Sequence, residues 1–294
     1  AHLFQPEDAV RFREGIAGSP LRGQSPAGAS GENPPAGASV WYYLRDPGQT
    51  VALTFRDEFG TEVATFSSRP DPDRVGTPRN PPPDPIPSDA GLNRFVWDLR
   101  YPGPLQIPGA IYRRYDPIGP IAAPGRYEVE IRTEGFTSTQ SFELLADPRL
   151  DTTQEEFDEQ NRFLLAVRDE ITSTHETILR MRDLRDRLEA QIGTDLLGED
   201  TRRDGERIAR EFLIIEEQLI QFRAKATQDL INYPVRLNDK LSTLFTLVEM
   251  SDSPPAAQDY ELFDELKVRI QAVIAELDEL VETTDWRRFR MLVS

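Results

Sequence analysis

The chain has 294 residues, with 51 acidic against 34 basic side chains, a formal net charge of −17, 38% hydrophobic residues, 24 prolines and no cysteine. Without cysteine there is no disulfide, no thiolate catalysis and no zinc–cysteine site, and so acidic a surface opposes binding to a nucleic-acid backbone. The length suits about two domains.

The first residues, AHLFQPEDAV, hold neither an initiator Met nor a signal-peptide core, which reads as a mature or cleaved product. Residues 1–37 are expected to form an extended N-terminal segment, rich in Gly, Ala, Ser and Pro from residue 13 onward. A series of short β-branched and aromatic runs follows: ASVWYYLR (38–45), TVALTFRD (50–57), TEVATFSS (61–68), LNRFVWDLR (92–100), GRYEVEIRTEG (125–135) and TSTQSFELLAD (137–147). Gly60 and Gly135 suit tight turns between neighbouring runs. In the fifth run Tyr127, Val129 and Ile131 alternate with Glu128, Glu130 and Arg132, the pattern of a strand with one buried face. With frequent turns and no helical pattern between them, these runs predict an antiparallel β-sandwich over 38–148. Within it, residues 69–90 carry eight prolines and are expected as a polyproline II or irregular surface loop.

Near Asp147-Pro148 the grammar changes, and 149–294 reads as an acidic helical domain. Residues 151–294 hold 32 acidic and 19 basic side chains, net −13, against net −4 for the first 150. Asp151-Thr152-Thr153 followed by Glu155 and Glu156 resembles a capping-box start, and Phe157, Leu164, Val167, Ile171, Thr174, Ile178, Met181, Leu188 and Ile192 recur at helical spacing up to Gly193. A helix of about 39 residues spans roughly 58 Å and needs helical partners. Further helices are expected at 202–232, 236–250 and 256–282, so the domain is predicted as an up-and-down bundle of three to four long helices. No apolar run approaches the roughly 20 residues that cross a bilayer, so no transmembrane segment is expected.

Candidate chemistry is sparse. The chain has two histidines, His2 and His175; His175 lies beside the Ile171–Ile178 seam and reads as a packing or surface residue of the helix. Paired carboxylates of the kind that cleave glycosidic bonds sit about 5–10 Å apart, but acids such as Glu155, Glu156, Glu216, Glu217 and Asp278 read as solvated helix faces. Asp98, beside Trp97, is the best single carboxylate candidate. Alternation places Phe95 and Trp97 on one face and Asp98 on the other, so Trp97 is expected in the core and Asp98 on turn amides. The DPDR run at 71–74 lacks the ligand alternation of a calcium loop, no Gly-rich loop opens a helix, and no Ser-x-Asp-x-Gly-x-Thr propeller box is present. No catalytic residue, cofactor or metal is expected.

The runs VWYYLRDPGQTVALTFRDEFGTEVATF, GLNRFVWDLRYPG and IAAPGRYEVEI resemble the Ig-like module of the flagellar hook-cap type. With GENPPAGASVWYYL, ADPRLDTTQEEFDEQ and INYPVRLNDKLSTL added, the chain is similar over about residues 30–280 to the C-terminal region of bacterial sortilin-like propeller proteins. Those are often labelled glycosyl hydrolase or BNR-repeat proteins. The resemblance implies an Ig-like domain plus a helical domain in an exported protein, hence periplasmic or extracellular. The hydrolase label belongs to a propeller that this chain lacks, so no catalytic residue carries over.

The expected function is therefore non-catalytic: a structural or accessory subunit, with an Ig-like β-sandwich and a helical bundle, that binds a larger extracytoplasmic complex at a membrane surface. The alternative is a glycan-binding accessory tail domain of a sortilin-like propeller hydrolase. Surface aromatics would carry such binding, and Trp41, Tyr43, Tyr112, Tyr115 and Trp286 are the candidates, although strand-core packing explains most of them more cheaply. A protein partner or a glycan is thus expected, and nucleic acid is not.

Overall fold

The computed structural model describes residues 1–12, 37–69, 76, 82, 84–113, 115–194, 197–283 and 286–287. Among them are eight β-strands in two sheets and four α-helices, an α+β architecture. The strands are β1 (His2–Leu3), β2 (Ala9–Arg11), β3 (Ala38–Leu44), β4 (Ala52–Asp57), β5 (Glu62–Ser67), β6 (Gly91–Trp97), β7 (Gly125–Thr133) and β8 (Phe136–Ala146). The helices are α1 (Gln154–Ile192), α2 (Glu199–Leu219), α3 (Leu237–Glu249) and α4 (Ala257–Glu282). The chain divides into two compact units, one drawn from Ala1–Arg74, Pro83–Pro102 and Gly119–Asn161, the other from Val75–Pro82, Gly103–Ile118 and Arg162–Ser294.

In the first unit, one sheet has the order β1-β3-β6 and the other β2-β8-β7-β4-β5. All described pairings are antiparallel except that of β2 with β8, which is parallel. The inward residues of both sheets form one apolar cluster, including Val40, Tyr42 and Leu44 of β3, Phe55 of β4, Val129 and Ile131 of β7, and Leu144 of β8. Trp97, at the end of β6, is fully buried and stacks on Phe55 with ring centroids 4.5 Å apart. Its indole N–H donates to the Arg100 carbonyl at 3.0 Å, so the one polar atom of this large side chain is satisfied. Asp98 is exposed and accepts the Arg100 amide at 3.2 Å, a turn role. Beyond the turn, Tyr101 N–H donates to the Pro120 carbonyl at 2.9 Å. Gly119 permits this approach, because a Cβ there would lie 1.7 Å from the Tyr101 oxygen.

Within the expected extended N-terminal segment, two stretches of the described residues pair into sheets. His2–Leu3 and Ala9–Arg11 are strands, laid on β3 and β8 respectively. Runs of two and three residues are too short for periodicity to announce; neighbouring strands hold them. The Gly/Ala/Ser/Pro run at 13–36 lies outside the described residues, as does most of the Pro-rich 69–90. Residues 84–89 are described and have no regular secondary structure; there Ile86 is buried and its N–H donates to the Ser67 carbonyl at 3.2 Å.

Helix α1 begins at the expected start signal, in residues of the first unit, and belongs to the second unit from Arg162 onward. The Thr153 hydroxyl accepts the Glu156 amide at 3.3 Å and the Glu156 carboxylate accepts the Thr153 amide at 2.8 Å. It ends at Gly193, whose N–H reaches the Glu189 carbonyl at 3.0 Å. Helices α3 and α4 fall within a residue of their expected bounds. The second helix does not: it stops at Leu219, and a short 3-10 helix occupies Thr227–Ile231. Apolar spacing continues through Phe222, but Ile220 is extended and buried Gln221 accepts the Arg223 amide at 3.0 Å. That local bond gives the backbone an alternative to the helix. Ile208, Phe212, Ile215 and Leu219 of α2 join Val167, Ile171, Ile178, Leu241, Leu244, Leu266, Ile270 and Leu277 in the unit's core.

Residues 103–118, expected inside the β domain, belong instead to this helical unit. Ile107, Ala110 and Tyr112 are buried in its core. The segment's backbone is held by side chains: Thr172 Oγ accepts the Leu105 amide at 3.3 Å, Asp239 accepts the Arg113 amide at 3.1 Å, and the Ser242 hydroxyl donates to the Tyr115 carbonyl at 2.8 Å.

Candidate functional site

Two groups with the chemistry for catalysis, His175 and Glu216, are engaged in structure. His175 is fully buried on α1. Its Nδ1–H donates to the Leu105 carbonyl, which can only accept; the neutral ring therefore presents Nε2 as acceptor to the Tyr112 hydroxyl at 3.0 Å. Burial pushes the imidazole down to about 4, with nearby Arg182 acting in the same direction and the Leu105 bond opposing. Glu216 of α2, expected on a solvated face, is buried and held by Arg182 and Arg185 of α1, each at 2.7 Å. The pattern EE at 216–217 concealed this, because only the crossing of α1 over α2 decides which of two adjacent acids turns inward. No group of three or more His, Asp or Glu among the described residues is arranged to hold a metal ion. An open groove between α2 and α4, lined by Ile214, Ile215 and Leu280 with Glu211, Glu276 and Glu279, is a surface concavity rather than a water-excluding cleft.

The five aromatic candidates separate by environment. Tyr112 is 1% exposed and Trp286 6% exposed, so the expectation that they face solvent is corrected. Tyr112 is buried by the core of the helical unit, and Trp286 packs edge-on against Phe212 with centroids 5.4 Å apart. Tyr115 is half-buried, its hydroxyl 4.0 Å from the Met250 sulfur. Trp41 and Tyr43 stand apart from these, 40% and 45% exposed on the same face of β3.

That face follows from the strand's two-residue period. Ala38, Val40, Tyr42 and Leu44 are all fully buried, so Trp41 and Tyr43 must point outward. Pairing with β6 sets Arg94 opposite Trp41 and Leu92 opposite Tyr43; pairing with β1 sets His2 opposite Tyr43. Two residues on, Phe4 donates its N–H to the Trp41 carbonyl at 3.0 Å and meets His2 edge-on at 4.6 Å. The outer face of β1-β3-β6 thus carries Phe4, Trp41, Tyr43 and Leu92, with Phe4 40% and Leu92 61% exposed. The Arg94 guanidinium lies 5.4 Å from the centroid of the Trp41 ring and donates to Ser39 Oγ at 3.0 Å. A sheet face presenting large apolar groups and one stacked cation can bind another surface.

Sequence reasoning reached Trp41 and Tyr43 but not Phe4, Leu92 or Arg94. Alternation along β6 was visible, yet membership of one patch depends on the β3–β6 register, and Phe4 joins only because β1 pairs with β3. No described helix is long and apolar enough to cross a membrane. The chain matches no protein-family model and no curated protein.

Proposed function

We propose that the protein is a non-catalytic structural or accessory subunit that docks onto a protein partner through the outer face of β1-β3-β6, within a larger extracytoplasmic assembly at a membrane surface. The observation that carries this reading is the set Trp41, Tyr43 and Arg94, exposed together with Phe4 and Leu92. Trp, Tyr and Arg dominate the energetically important positions of protein interfaces, and a contiguous exposed apolar patch on a folded domain marks an interaction site. The β unit is read as an Ig-like sandwich. Supporting this are the two sheet orders, the switch of the N-terminal strands from β3 to β8, and the Tyr127 hydroxyl that donates back to the Ala123 carbonyl at 2.7 Å near the start of β7. The helical unit is read as a bundle, supported by its single apolar core. The extracytoplasmic location, like the kinship with the tail of sortilin-like propeller proteins, rests on the sequence resemblance.

Glycan binding is the second reading, favoured by the exposure of Trp41 and Tyr43. Against it, one face of Trp41 is taken by Arg94, and the patch neighbours Phe4 and Leu92 offer no side-chain hydrogen bonds to sugar hydroxyls. Gentle purification of the protein from its source, followed by native mass spectrometry, tests the proposal. A stoichiometric protein complex that Trp41→Ala disrupts is the expected result. A chain that migrates alone, and that an oligosaccharide array retains through Trp41, would overturn it in favour of the glycan reading.

A further inference from the structure

We infer that the partner presents a carboxylate to Arg94, set among apolar side chains that cover Trp41, Tyr43, Leu92 and Phe4. This rests on the docking role proposed above and names the chemistry of the surface that fits it. The chain carries 51 carboxylates, yet no carboxylate of a described residue pairs with Arg94. Its guanidinium, with five N–H donors, spends its one side-chain hydrogen bond among the described residues on Ser39 Oγ and otherwise lies over the Trp41 ring. The flanking positions in the register, Leu92 and Tyr43 along the strands and Phe4 beyond Trp41, are apolar or aromatic.

Covering such a patch removes water from the guanidinium, and a desolvated charge without a counter-ion is strongly unfavourable. The occupant must therefore bring an anion to this point, and the planar fork of Arg matches a carboxylate through two parallel hydrogen bonds. Three other occupants fit less well. A second copy meeting face to face about an axis near Arg94 brings two guanidinium groups together, so like charges converge there. An anionic lipid surface is repelled by a chain of net charge −17. A basic partner, which the chain's overall charge would attract, meets the wrong sign at this face. The inferred surface combines a local carboxylate with aliphatic or aromatic side chains; a chain of net charge −17 repels an acidic partner at long range, so recognition depends on screened, short-range contacts at the patch itself.

The test is a random dodecapeptide phage library panned on the full chain, on Arg94→Glu and on Trp41→Ala. Denaturant midpoints and circular dichroism establish that both variants remain folded. Peptides selected on the parent chain are expected to combine Asp or Glu with Leu, Ile, Phe or Trp. As synthetic peptides they should lose about tenfold or more in affinity for either variant, and Arg94→Glu should select Lys- or Arg-bearing peptides instead. Winners that lose affinity for Trp41→Ala but are indifferent to Arg94→Glu overturn the carboxylate inference and leave the docking role standing. Winners indifferent to both substitutions overturn the docking role as well. A parent chain that sediments as a dimer, and as a monomer after Trp41→Ala, assigns the face to a second copy and overturns the inference.

Discussion

Trp97 and Trp41 sit on adjacent strands of one sheet and face opposite ways. Trp97 is fully buried against Phe55 with its indole N–H satisfied, whereas Trp41 is 40% exposed under a guanidinium. The first is an element of stability, while the second adds little to folding and offers its area to a partner. The same contrast separates Trp41 and Tyr43 from Tyr112 and Trp286, which lie in the core of the helical unit. Aromatic content is therefore no measure of binding surface; the side of the strand or helix decides it.

Four substitutions sharpen that contrast, from the largest effect to the smallest. Trp97→Ala removes the largest buried side chain of the β unit and should cost about 3–5 kcal/mol, read as a lower urea midpoint. A cost below about 1 kcal/mol would show that Trp97 does not anchor this core.

Next comes the buried imidazole. The folded-state value of about 4 lies below the ordinary 6.5 because burial disfavours the charged ring. The folded protein therefore resists protonation more than the unfolded chain. Stability associated with neutral His175 is fully present above about pH 6.5 and is lost progressively as pH falls towards 4, by about 3 kcal/mol in total. Carboxylates titrate in the same range, so the measurement is the difference in urea-derived stability between the parent and His175→Gln, followed from pH 7 to pH 4. The parent's advantage should shrink on acidification; an advantage independent of pH would show that His175 is not held neutral. Tyr112→Phe, which deprives Nε2 of its donor, should cost about 1–3 kcal/mol at pH 7.

Trp41→Ala completes the series with the smallest effect on folding. Its cost should be about 1 kcal/mol, well below that of Trp97→Ala, since the residue is already 40% exposed. A loss comparable with that of Trp97→Ala would mean that Trp41 is a structural residue, and the docking face would lose its central element.

Much of the fold was legible in the sequence, for local reasons. Alternation in β3 and β7 follows from the two-residue period of a strand, and α1 could be bounded because Thr153, Glu156 and Gly193 carry their stop and start signals within one turn. Trp97 inward and Asp98 on a turn amide followed from the same parity. The end of α2 at Leu219 was not legible, since the apolar spacing runs on and only the buried surroundings of Gln221 interrupt it. Nor was the inward turn of Glu216, which depends on Arg182 and Arg185 of another helix.

The candidate site divides along the same line. By itself the sequence determined what the chain lacks, cysteine chemistry and an apolar span, and determined that Trp41 and Tyr43 share one side of a strand. Tertiary structure alone decided that Phe4, Leu92 and Arg94 join them, that Tyr112 and Trp286 do not, and that residues 103–118 leave the strands to pack with the helices. The physical reason is range. Periodicity and capping act over a few residues and are written in neighbouring letters, whereas a patch assembled from β1, β3 and β6 exists only once distant segments have paired in register.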